Sequence, residues 1–137
     1  MNAAPIVVEK HVEIRWRDLD AFRHVNNAVY LTYLEEARDG WLAAMVPEGR
    51  STWDYVLARV AIDFRRELRE EDEYVIASCR LLRLGRSSIV THEEVRTLGG
   101  ELSAEAESVM VARDAETGEK RVLTPAELES FARVSAP

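Results

Sequence analysis

Val7 to Arg17 alternates: Val8, Val12, Ile14 and Trp16 fall on one side, with charged Glu9, Glu13, Arg15 and Arg17 opposite over most of the stretch. A period of two predicts a half-buried strand. The period then changes. From about Asn27 to Met45, the residues Tyr30, Tyr33, Leu34, Ala37, Trp41 and Met45 recur at spacings of three and four. That pattern predicts one amphipathic helix, ended by Pro47 and Gly49. Alternation resumes in four later segments. Tyr55–Arg66 sets Val56, Ala58, Val60, Ile62 and Phe64 against Arg59, Asp63 and Arg65, and Glu73–Leu84 sets Val75, Ala77, Cys79 and Leu81 against Tyr74, Ile76 and Leu82. Ser87–Thr97 and Glu101–Arg113 flank Leu98-Gly99-Gly100, a tight-turn signal. On the last of these, Glu101, Ser103, Glu105 and Glu107 should form a polar face opposite Leu102, Ala104, Ala106 and Met110. Thr124-Pro125-Ala126-Glu127 reads as the cap and first turn of a short terminal helix.

Strand, helix, then a meander of strands predicts an α+β domain, with one long helix packed against a curved five-stranded antiparallel sheet. The expected unit is a single domain over residues 1–137, with a short C-terminal extension from about 124. At 137 residues the chain is long enough to bury a core. One sheet wrapping one helix leaves free edges, so a homodimer or dimer of dimers formed by edge pairing is expected.

Composition narrows the partners. A formal charge of −7 argues against general nucleic-acid binding, which needs a basic face. It also makes any anionic ligand depend on local arginines. Cys79 is the only cysteine, which excludes an intrachain disulfide and suits a small buried residue. No apolar leader or membrane-length run is present, so a cytoplasmic protein without membrane contact is expected.

Between the first strand and the helix lies the densest chemistry in the chain. Asp18, Asp20, His24, Asn26 and Asn27 share one turn. A carboxylate and an imidazole beside the free N–H groups of a helix start are the parts that acyl transfer requires. No third ligand follows Asp20 and His24 at useful spacing, so no metal is expected, and the chain has neither G-x-G-x-x-G nor a P-loop.

The run D-x-D-x-x-x-H-V-N-N-x-x-Y from Asp18, continued by Tyr33-Leu34-Glu35-Glu36-Ala37-Arg38, resembles the hotdog-fold acyl-CoA thioesterases of the 4-hydroxybenzoyl-CoA thioesterase type. The resemblance covers the order of elements to about residue 113. It implies a hotdog fold and hydrolysis of an acyl-CoA, or acyl-carrier-protein, thioester to acid and thiol. It implies no metal or redox cofactor, coenzyme A entering only as part of the substrate, and places the active site at a dimer interface. By the same resemblance Asp20 is the catalytic carboxylate, acting as nucleophile or as general base on water. His24 would orient Asp20, hold the water or contact the thioester, and the Asn27 backbone amide would polarise the carbonyl. Asn26 and Tyr30 are candidates for substrate binding. Leu84-Gly85-Arg86-Ser87-Ser88 resembles a turn found at this place in the family, so Arg86, Ser87 and Ser88 are candidates for coenzyme A contacts, with Arg65, Arg66 and Arg83 as further phosphate partners. Many members carry glycine just before the histidine, where this chain has Arg23.

Alternatives stay open at this level. A second branch of the fold keeps its catalytic acid on the helix, which would be Glu35, although pairing with Arg38 or a strand arginine is the plainer role. A non-catalytic acyl-thioester binder or structural subunit fits the same fold, and a hydratase or dehydratase is a third reading. Tyr30, Trp41 and Trp53 could border either an aromatic or an alkyl group.

Overall fold

The computed structural model describes residues 3–135. Strand β1 is Val8–Glu13, helix α1 Val29–Met45, β2 Tyr55–Phe64, β3 Tyr74–Leu84, β4 Ser88–Thr97, β5 Leu102–Ala112 and helix α2 Pro125–Phe131. The five strands form one antiparallel sheet in the order β1-β3-β4-β5-β2, wrapped against α1 as a hotdog fold. Among the described residues no helix is long and apolar enough to cross a membrane.

Inner residues follow the period of two: Val75, Ala77 and Cys79 on β3, and Ala104, Ala106, Met110 and Ala112 on β5, are buried against Leu34, Ala37, Trp41 and Met45 of α1. The predicted alternation breaks at β-bulges, where an extra residue swaps the faces beyond it. On β2 the register shifts between Leu57 and Arg59, so Tyr55 turns into the core and Val56 turns out, 42% exposed. On β5 a shift opposite Val95 and Arg96 draws Ser103 inward, and it is fully buried instead of lying on the expected polar face. The hairpin turn falls where predicted, with Gly100 at a φ of +93° that a side chain would strain.

Two further expectations are corrected. β1 stops at Glu13, because residues 16–18 coil into a 3₁₀ turn, and Trp16 is 82% exposed. The first turn of α1 starts at Val29 and not Asn27, since Asn26 holds the preceding residues in a tight turn. Thr124 caps α2 as expected, accepting the Glu127 N–H at 3.2 Å. Phe131 of α2 stacks on Trp41 at 5.6 Å between ring centroids and meets Tyr55 edge-on at 5.4 Å. Trp41 is thus a core residue, and Trp53 is exposed, so neither borders a cavity at the motif turn. The sheet edges differ: β1 is short and carries exposed Glu9, Lys10, His11 and Glu13, while β2 is longer and exposes Val56, Leu57 and Phe64.

Candidate active site

The motif turn is held from below by Asp18. Its Oδ2 accepts the Arg15 backbone N–H and the Tyr33 hydroxyl, each at 2.9 Å, and its Oδ1 accepts the Arg15 guanidinium at 3.2 and 3.0 Å. Burial opposes the Asp18 charge, but these donors outweigh it and hold the carboxyl below its usual range. Burial, then the bond to Asp18, pushes the Tyr33 hydroxyl up. Both Asp18 carboxylate oxygens are thus engaged, and the bond from Tyr33 ties the turn to α1.

Asp20 lies above it, in a loop that closes on itself. Its Oδ1 accepts the N–H groups of Phe22 at 2.9 Å and His24 at 3.2 Å, while its own N–H donates to the His24 carbonyl at 2.8 Å. So tight a closure drives Arg23 to a φ of +61°, the left-handed region that glycine adopts freely and other residues only with strain. That backbone requirement accounts for the glycine in the family pattern. Here the chain bears the cost of an arginine.

The His24 imidazole does not meet Asp20. Its Nε2 lies 2.9 Å from Oε2 of Glu67. Two backbone links create this pairing: an isolated antiparallel bridge between His24 and Arg69, and the Val25 N–H donating to the Leu68 carbonyl at 2.8 Å. Arg69 also grips Oε1 of Glu67 through Nε at 2.9 Å and through Nη2. Arg69 first, and His24 after it, hold the Glu67 carboxyl below its ordinary range. Glu67 was not legible as a site residue. It sits in a charge-rich run whose spacing gives no sign of a partner more than forty positions earlier.

Asn26 donates its N–H to the Asp18 carbonyl at 2.9 Å, and its Oδ1 accepts the Ala28 N–H at 2.9 Å, so its side chain shapes the turn and does not line the cavity. The Asn27 carbonyl accepts from Tyr30 at 3.3 Å, whereas its N–H enters no bond among the described residues. Tyr30 is buried beneath. Its hydroxyl donates to Ser103 Oγ at 3.0 Å, which in turn donates to the Arg66 carbonyl at 2.6 Å, and its ring meets Phe64 edge-on at 5.0 Å.

Asp20, His24, Asn27, Tyr30, Phe64 and Glu67 surround one cavity of about 270 Å³. Arg86, Ser87 and Ser88 are not part of it. They line a separate depression of about 480 Å³ with Lys120 and Arg121. Arg65, Arg66 and Arg83 are paired with acids: Glu105 at 3.1 Å, Asp72 at 3.2 Å and Glu107 at 3.0 Å respectively. Glu35 is exposed and outside the cavity, and Arg38 pairs with Glu93 in the core, not with Glu35. Among the described residues no group of three or more His, Cys, Asp or Glu is placed to hold a metal ion. Arg65 and Arg66 also line the cavity, so beside these two paired guanidinium groups it offers two carboxylates, one imidazole and Asn27, whose N–H is unengaged among the described residues.

Comparison with known proteins agrees with this architecture. The description "Thioesterase-like superfamily" matches residues 14–132. The chain belongs to that superfamily and is a thioesterase of the hotdog fold. It is similar to the long-chain acyl-CoA thioesterase FadM of Escherichia coli (strain K12), with 29% identity over an alignment 119 residues long that covers 80% of this chain and 86% of that one. It also superposes on the crystal structure of a thioesterase from Thermus thermophilus complexed with coenzyme A and Zn, with a TM-score of 0.81, 33% identity and coverage of 92% of this chain and 98% of that one. The DHNA-CoA thioesterase of Staphylococcus aureus shares the fold at 16% identity, with a TM-score of 0.79 over 92% of this chain and 89% of that one.

Proposed function

We propose that this chain hydrolyses the thioester of an acyl-CoA, or of an acyl carrier protein, to a free acid and a thiol in the cytoplasm. The observation that carries the reading is the convergence of Asp20, His24 and Asn27 on one cavity, with the Asn27 N–H unengaged among the described residues and a 17-residue helix beginning two positions later. The thioester oxygen sits at the Asn27 amide, where the positive end of α1 favours the charge that develops as the carbonyl carbon becomes tetrahedral. Asp20 then acts by one of two routes. It attacks the carbonyl carbon, expels the thiolate and leaves a mixed anhydride for water to cleave, or it draws a proton from water that attacks directly. The acyl group rests on the Tyr30–Phe64 pair.

Coenzyme A phosphates meet Arg86, Ser87 and Ser88. Arg86 supports that role because, unlike Arg65, Arg66 and Arg83, it has no ion pair among the described residues. The two depressions are separate within one chain, which fits a site completed across a homodimer or a dimer of dimers. The β2 edge is the better candidate for pairing, since it is longer and exposes Val56, Leu57 and Phe64, whereas four of the six β1 residues are exposed charged or histidine side chains.

Thiol release from a panel of short, long and aromatic acyl-CoAs, with Asp20→Ala as control, tests the reading. Hydrolysis by the wild type that falls by orders of magnitude in the variant supports it. Acyl-CoA binding without hydrolysis of any member would instead favour a non-catalytic binder.

A further inference from the structure

The site holds a second carboxylate that the motif does not contain. We propose that Glu67 is the positioning residue of His24, setting the ring's orientation and tautomer so that the imidazole, and not Asp20, moves the proton during hydrolysis. The proposal rests on the thioesterase reading above and deepens it: on the direct route it gives the role of base to His24 in place of Asp20, which stays as the fixed charge beside it.

Three observations carry it. The Glu67 carboxylate is divided between two partners, Oε1 gripped by Arg69 and Oε2 standing 2.9 Å from His24 Nε2. The backbone bridge His24–Arg69 and the bond from Val25 N–H to the Leu68 carbonyl fix the two segments in register, which holds the two side chains within reach of each other. Asp20, by contrast, already accepts two backbone N–H groups at Oδ1, which suits a fixed anion better than a proton carrier.

A ring whose Nε2 faces a carboxylate carries its proton on that nitrogen, and its Nδ1 keeps the lone pair. On the direct route Nδ1 takes a proton from water as the water oxygen bonds to the carbonyl carbon. When the C–S bond breaks, the imidazolium returns that proton to the thiolate sulfur. Water and thioester become acid and thiol, and the ring ends as it began.

The chain has only three histidines, so ring ¹⁵N shifts of His24 are assignable by comparison with His24→Asn. We expect the neutral ring to be chiefly the Nε2–H tautomer in the wild type, and to become a mixture in Glu67→Ala with thermal stability preserved. For the reaction, Glu67→Ala should lower kcat by roughly 10²-fold, the lower end of what a positioned acid–base group contributes, with KM little changed. The loss should vanish in the His24→Asn background, because the two residues act as one unit. Glu67→Gln, which keeps the size, serves if the alanine variant is unstable. Unchanged tautomer populations in both variants, or losses that simply add to that of His24→Asn, would overturn the proposal. Should the wild type hydrolyse no thioester, the thioesterase reading fails while the nitrogen shifts still decide whether Glu67 sets the ring.

Discussion

Two places in this molecule set a carboxylate against a base, and they serve opposite ends. Between α1 and the sheet, Glu93 is fully buried and saturated. It takes the Arg38 Nε and Nη2 at 3.0 Å each, Thr91 Oγ1 at 2.8 Å, Ser108 Oγ at 2.9 Å and the Cys79 thiol at 3.9 Å. This polar layer lies between two apolar clusters, one around Trp41, Met45 and Phe131, the other around Tyr30, Tyr33 and Leu34. Cys79 shares its fate: burial, then the Glu93 charge, pushes the thiol up, so it is an inert packing residue. At the motif turn the same kinds of group border an open cavity, and the Asn27 donor is unengaged. A carboxylate with a nitrogen partner becomes structural where the partner is a permanently charged guanidinium, every lone pair is filled and water is excluded. It becomes available for reaction where one donor and some volume are left over.

Breaking the sealed pair should have the largest effect. Arg38→Ala strands the Glu93 charge and should cost about 3–5 kcal/mol in denaturant unfolding. Replacing both partners, as Arg38→Met with Glu93→Leu, should recover most of that loss, because no charge is then left unpaired. The open site should respond in rate and not in stability. Asp20→Asn is expected to reduce kcat about 10²–10⁴-fold, with the unfolding midpoint within a few degrees of wild type.

A second sealed carboxylate sharpens the contrast through pH. Glu127 is fully buried. Burial opposes its charge, but the Arg121 guanidinium, the Thr124 N–H and the Tyr55 hydroxyl outweigh it and hold the carboxyl at about 2, against 4.5 for an ordinary glutamate. A depressed pKa means that the folded state prefers the charged form. Its contribution is present in full above pH 4.5 and is lost as pH falls from there toward 2. Melting curves over that window should therefore fall about 1–3 kcal/mol further for the wild type than for Glu127→Gln. The smallest change belongs to the open site again: Arg23→Gly, at a φ of +61°, should stabilise the chain by about 1 kcal/mol, raising its midpoint by some 4 °C.

The periodicities of the sequence determined the type and order of the elements: a switch from period two to spacings of three and four, then a return to period two, permits one helix against one meander. The run from Asp18 to Asn27 likewise determined that Asp20, His24 and Asn27 would lie together, because they are neighbours in the chain. Tertiary structure decided what depends on pairing between distant segments. Bulges on β2 and β5 turned Tyr55 and Ser103 inward, since one unpaired residue inverts a strand's faces and leaves no mark in composition. The bridge between His24 and Arg69 brought Glu67 to the imidazole, and packing of α1 on β4 brought Arg38 to Glu93. Both carboxylates look like solvated charges in sequence, because burial and partners are properties of the folded register and not of local spacing.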